Sequence, residues 1–141
     1  MTVKQISVFL ENHPGKLAEF AAVLSAQKVN LRAISVAEAA DFGIARIIVD
    51  DVFNAVTILK SENYVCSITD VLAVEVPDEP GMLANMIGVL GTAGINIEYM
   101  YTILGKKKNV AYMIIRTNSY KEAAKILDAK GFKISALDDL G

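Results

Sequence analysis

Apolar side chains alternate at the start of the chain: Ile6, Val8 and Leu10 fall on one face, with Gln5 and Ser7 among the others. A period of two predicts a half-buried strand over Val3 to Leu10. A Pro14-Gly15 turn follows, and then Leu17, Phe20, Ala21 and Leu24 stand at i, i+3, i+4 and i+7, the spacing of an amphipathic helix. Apolar, strand-forming runs resume at Leu31 to Val36 and at Ile44 to Val49. A second helical stripe is formed by Val52, Ala55, Val56 and Leu59, and a fourth strand is predicted at about Tyr64 to Thr69. The order of elements is βαββαβ.

The same order then returns. Asn12-His13-Pro14-Gly15-Lys16-Leu17 recurs 66 residues later as Asp78-Glu79-Pro80-Gly81-Met82-Leu83, and Val29-Asn30-Leu31 recurs at the same offset as Ile95-Asn96-Ile97. Leu72, Val74 and Val76 repeat the first strand, and Leu83, Met86, Ile87 and Leu90 repeat the first helix. Strands are predicted at Ile97 to Leu104 and Val110 to Ile115, a helix through Tyr120, Ala123, Ala124 and Leu127, and a last strand at Phe132 to Leu137. Gly131 is placed to stop that helix. The last helix is offset by 68, so the second copy carries two extra residues before it. Internal repetition decides the architecture before any other feature. Two right-handed crossovers on an antiparallel sheet make each half a ferredoxin-like sandwich. The expected fold is therefore α+β, two tandem ferredoxin-like βαββαβ sandwiches, with domains at 1–70 and 71–141. The joint at Asp70 is short enough that the halves are expected to behave as one rigid body.

Composition narrows the picture. With 53% hydrophobic and 21% charged residues the chain can build a packed core. Units of roughly 70 residues bury a modest share of their surface, so association of half with half and of chain with chain is expected. Net charge is -2 and Arg32, Arg46 and Arg116 are the only arginines, which leaves no clustered cations for nucleic acid. Lys106-Lys107-Lys108 is expected at a solvated hairpin tip. No apolar run approaches a membrane span, and the chain runs directly into its first strand without a signal sequence. The single Cys66 suits a reducing compartment. A cytoplasmic protein with no membrane partner is expected.

A βαββαβ unit with Asn/Asp-x-Pro-Gly after its first strand, and an Asn opening its second, resembles the ACT domain, the small-molecule regulatory module of amino-acid metabolism. The resemblance spans the whole chain as two tandem ACT domains. It implies a free L-amino acid held at an interface between ACT units, by the turn after strand one together with the start of strand two. By position it implies Asn12, Gly15, Lys16, Leu17, Asn30 and Leu31 in the first half. In the second half it implies Asp78, Gly81, Met82, Leu83, Asn96 and Ile97.

The residue chemistry suits a zwitterion. A helix N-terminus offers unpaired N–H groups and a partial positive charge to a carboxylate. Gly15 and Gly81 let a ligand approach the backbone closely. Asp78 offers a charged acceptor to an ammonium group, Asn12 a neutral one, and Asn30 and Asn96 both donate and accept. Singly, each of these four also reads as a cap or Asx-turn. The copies differ: His13 and Lys16 make the first turn cationic or potentially so, whereas Asp78 and Glu79 make the second anionic. Glu79 also complements a helix dipole. Tyr99 and Tyr101 share one strand face where the first copy has Ala33 and Ser35, and they are expected to fill a seam.

Catalysis is not expected. The chain has one histidine, no nucleophile with an evident base, no metal-ligand spacing, no G-x-G-x-x-G and no P-loop. The first loop lacks the cysteine pair of a copper carrier, and the third strands lack the aromatic and cationic set of an RNA-binding sheet. No cofactor is implied. Two functions remain: a free-standing, allosteric amino-acid sensor that is at least a homodimer, or a regulatory subunit docking on a biosynthetic enzyme, as acetolactate synthase small subunits do.

Overall fold

The computed structural model describes residues 2–103 and 105–140. Two compact units divide the chain, one from Lys4 to Thr69 and one from Asp70 onward together with the N-terminal residues up to Val3. In chain order the elements of the first half are β1 (Val3–Glu11), α1 (Lys16–Ala26), β2 (Leu31–Ala39), β3 (Phe42–Val49) and α2 (Val52–Ser61). β4 (Val65–Pro77) crosses the boundary, and α3 (Met82–Thr92), β5 (Tyr99–Ile103), β6 (Val110–Arg116), α4 (Tyr120–Ala129) and β7 (Lys133–Ser135) complete the second half. The βαββαβ order therefore occurs twice, as the hydrophobic pattern predicts.

In the first unit the strand order is β2-β3-β1 with β4 beside β1, and β3 is antiparallel to both β1 and β2. In the second unit it is β5-β6-β4 with β7 beside β4, all antiparallel. Each core lies between one sheet face and two helices. Ile6, Val8 and Leu10 of β1 and Ala45, Ile47 and Val49 of β3 meet Phe20 and Leu24 of α1 and Ala55 and Leu59 of α2. Leu72, Val74 and Val76 meet Met86, Leu90, Ala123 and Leu127 in the matching way.

Several elements differ from the pattern. The joint expected at Asp70 is not a break: β4 is one 13-residue strand. The run Ser67-Ile68-Thr69-Asp70-Val71 contains neither Gly nor Pro and is rich in β-branched residues, so nothing interrupts an extended backbone. β5 begins at Tyr99 rather than Ile97, and the expected end at Leu104 lies outside the described residues. β7 has only three residues before a 3-10 turn at Leu137–Asp139. The helical stripes are narrower than their spacing implies: Leu17 is 46% exposed, Leu83 40% and Ile87 37%. Gln5, expected among the outward positions, is buried, and its Nε2 donates to Ser7 Oγ.

All four helices end alike. After α4, Gly131 N–H donates to Asp128 and Phe132 N–H to Leu127; after α3, Gly94 N–H donates to Gly91 and Ile95 N–H to Leu90. This is the Schellman closure, with a left-handed residue past the helix end. Gly94 and Gly131 have φ of 77° and 87°, and in the first unit the same positions hold Lys28 at 55° and Asn63 at 68°.

Candidate functional site

Each Pro-Gly turn delivers its glycine in the left-handed region as the N-cap of the next helix, Gly15 at φ 89° and Gly81 at φ 86°. That conformation is nearly free for glycine and costly for any residue with a Cβ. Neither glycine position carries a side-chain cap. Lys16 N–H donates to His13 O and Glu19 N–H to Gly15 O, with Met82 to Glu79 and Asn85 to Gly81 in the second copy. Among the described residues this leaves the amides of Leu17 and Ala18, and of Leu83 and Ala84, without a protein acceptor. They point out of the helix starts with the positive end of the dipole.

The turns are tied to the hairpins that follow. Asn12 N–H donates to Asp41 O at 3.0 Å, and Asp78 N–H to Asn109 O at 2.8 Å. Asn12 also gives its Nδ2 to Ala40 O at 2.9 Å and to Glu38 Oε2 at 3.2 Å, so it braces the β2–β3 hairpin instead of capping α1. The exposed Asp78 carboxylate has no hydrogen-bond or ion-pair partner among the described residues.

His13 Nε2 lies 2.7 Å from Glu11 Oε2, and Lys16 pairs with Glu19 at 3.3 Å. The hydrogen bond to His13 holds the Glu11 carboxyl below its ordinary range, aided by Lys16, and Glu19 holds the Lys16 ammonium above its own. Lys16 lines a cleft of about 350 Å³ with Glu11, Glu19, Glu62, Asn63 and Tyr64. In the second unit the groove between α3 and α4, about 470 Å³, is lined by none of the expected site residues.

The strand-two asparagines stand elsewhere. Asn30 gives its Nδ2 to Asp50 Oδ2 at 2.8 Å, and Arg32 closes an ion pair with the same carboxylate. Glu11 pairs with Phe42 across β1–β3, while Leu31 pairs with Val49 across β2–β3. Seven steps along β3 separate those registers, about 23 Å at strand rise. Asn12 and Asn30 thus sit at opposite ends of one unit, as do Asp78 beyond Pro77↔Val110 and Asn96 beyond Tyr99↔Arg116. The residues of each turn are brought together, and the residues of each strand-two start are brought together, but no single unit joins the two sets. Asn96 is exposed and has no side-chain partner among the described residues; Leu31 is partly exposed and Ile97 half-buried.

Two residue pairs beside these asparagines escape notice in the apolar pattern. Arg32–Asp50 of the first unit corresponds, at the same offset of 66, to Glu98–Arg116 of the second, at 3.7 Å. The ion pair is kept and its signs are exchanged. Comparing charged positions at the repeat offset would have found it.

A family described as an ACT domain pair matches residues 1–140. The chain belongs to the ACT family. An ACT pair is a regulatory rather than a catalytic module, and its business is small-molecule regulation. Protein BT0572 from Bacteroides thetaiotaomicron, known from a crystal structure, is 40% identical to this ACT pair over 99% of this chain and 95% of its own, with a TM-score of 0.90. The regulatory subunit of aspartate kinase from Thermus thermophilus, in its ligand-free form, is 16% identical over 89% and 90%, with a TM-score of 0.64, a likeness of fold. No curated protein sequence matches the chain. Among the described residues no cluster of His, Cys, Asp and Glu could hold a metal, and no helix is long and apolar enough to cross a membrane.

Proposed function

We propose that this ACT pair is a regulator that binds a free L-amino acid at an interface between ACT units. The observation that carries the reading is the pair of open donor–acceptor sets on the second half. Among the described residues the Asp78 carboxylate has no partner beside the uncapped α3 start at Gly81, and the Asn96 side chain has none at the start of the second strand. The α-carboxylate lies at a helix start, on the Met82–Leu83 or Lys16–Leu17 side, where free N–H groups and the dipole favour it. The ammonium group meets Asp78, or more weakly Asn12. His13 and Glu79 tune the charge at the two turns, and Leu17, Leu31, Leu83 and Ile97 offer apolar contact to a side chain. Because a turn and a strand-two start lie about 23 Å apart in one unit, a pocket using both takes them from two units. Binding is therefore linked to assembly, and the chain acts as a homodimer. The lone Cys66, packed against the first core and with its thiol pushed up by burial, suits a reducing cytoplasm.

Thermal-shift screening against the proteinogenic amino acids tests this, since a ligand specific for the native state raises apparent stability by mass action. One L-amino acid should raise Tm, and its D-enantiomer and decarboxylated amine should do so far less. No shift with any of them, and no heat by calorimetry, refutes the sensor. A second reading then gains, that of a subunit docked on an amino-acid biosynthetic enzyme, in the manner of acetolactate synthase small subunits or of the aspartate kinase subunit whose fold it shares. One feature favours it: α3 has no charged residue in its 11 positions and exposes Leu83 and Ile87.

A further inference from the structure

The exchanged ion pair gives the two strand-two starts different chemistry. A carboxylate only accepts hydrogen bonds, so the Asp50 contact decides which end of the Asn30 amide faces it: Nδ2 must point to Asp50, and Oδ1 turns away. Arg32, held on the other carboxylate oxygen, keeps Asp50 in place. At the equivalent point of the second unit the group is a cation. Arg116 donates to the backbone oxygens of Asp70 and Thr117 and to Asn118 Oδ1 and lies 3.7 Å from Glu98, and Asn96 has no side-chain partner among the described residues. Its amide is free to present either end.

We propose that Asp50 is a positioning residue that orients Asn30 as an acceptor, so that the strand-two start of the first unit selects the ammonium end of an amino acid, whereas Asn96, which no such carboxylate orients among the described residues, takes either end. Each start carries one ion pair, Arg32–Asp50 in the first unit and Glu98–Arg116 in the second, so neither has a net charge and the polarity rests on the orientation of the Asn30 amide. This assignment rests on the amino-acid reading above and adds which residue sets ligand polarity and where.

The side-chain amide resonances of Asn30 and Asn96 in the full-length protein report each position separately. Without ligand, acidification through the Asp50 titration should move the Asn30 pair and leave the Asn96 pair in place; Asp50→Asn should abolish that response, and Asp50→Glu should restore part of it. The selectivity is read with glycine, alanine, serine, threonine and lysine, each beside its N-acetyl derivative and its α-amide. In the wild type the free amino acid and the α-amide should perturb Asn30, and the N-acetyl derivative should need at least tenfold more. In Asp50→Asn that preference should fall below about threefold, because the amide can then reverse. An unchanged preference in Asp50→Asn overturns the proposal while leaving the amino-acid reading intact. An Asn30 pair that ignores Asp50 ionisation overturns the geometry behind it. Absence of any response at either asparagine to these amino acids, with the acid response present, refutes an ammonium-selective site for this set and counts against the broader reading only if the full thermal-shift screen is also blank.

Discussion

Asn12 and Asp78 hold the same place in the two turns, yet their side chains do different things. Asn12 gives its Nδ2 to Ala40 O and Glu38, within its own unit, while Asp78 donates its backbone N–H to Asn109 O and its carboxylate has no partner among the described residues. The charged, unengaged residue is the better partner for an ammonium group, since charge-assisted hydrogen bonds are about twice as strong as neutral ones. Asp78→Ala and Asn96→Ala are each expected to weaken amino-acid binding by roughly tenfold with Tm nearly unchanged, a loss of about 1–3 kcal/mol being usual when one member of a polar pair is removed. Asn12→Ala should weaken binding less. Calorimetric titration reverses this order if binding instead depends on Asn12. The Asp50 carboxyl gives a pH prediction. Its pKa lies below the ordinary value, chiefly through the Asn30 hydrogen bond and then through Arg32. A depressed folded pKa contributes stability above the unfolded value, and that contribution is lost as pH falls through the folded one. The Tm gap between wild type and Asp50→Asn should therefore be constant above about pH 5 and close below about pH 4, where an unfolded Asp protonates.

The four helix ends set the scale of single elements. A common closure is built at each, but glycine serves it only in the second unit, at Gly94 and Gly131. Lys28 and Asn63 adopt positive φ in the first unit, which costs a residue with a Cβ about 1–2 kcal/mol, less for Asn. Lys28→Gly should raise the stability of the first unit by about 0.5–1 kcal/mol once the greater unfolded freedom of glycine is deducted. Asn63→Gly should gain less, and Gly94→Ala should lose a comparable amount. Chemical denaturation measures all three; a destabilised Lys28→Gly would mean that the lysine side chain contributes something the backbone geometry does not show. The stop at Gly131 was legible from the sequence because glycine marks it, whereas a lysine in the same conformation carries no such mark.

At the scale of the molecule, β2 and β5 end the strand order with one side of each unpaired by the described strands. Ile34 and Val36 of β2 remain about half exposed, and α3 exposes Leu83 and Ile87 without a charge in the helix. Unpaired edges and apolar faces of this kind invite a second chain. Light scattering is expected to return at least a dimer at micromolar concentration, and Ile34→Lys with Val36→Glu should shift it toward monomer. A monomer that nonetheless binds an amino acid would break the proposed link between binding and assembly.

Repetition at an offset of 66, period-two strands and i, i+3, i+4, i+7 helices made the doubled βαββαβ order and both turn glycines readable from the chain, because these depend on local backbone preference and on which face is apolar. Burial within each stripe was not readable: Phe20 and Leu24 fill the core while Leu17 and Ala21 look outward, a choice made by where the sheet lies. The separation of two strands at Asp70 does not occur, because a short polar interruption in the sequence looks the same whether the strand bends, breaks or continues. What only the folded unit decided is distance and partnership. Sequence position places Asn12 and Asn30 in one half, but the sheet sends them to opposite ends, and it sets Asp50, 20 residues further on, against Asn30. Neighbours across strands follow from register, which tertiary packing fixes and no local pattern contains.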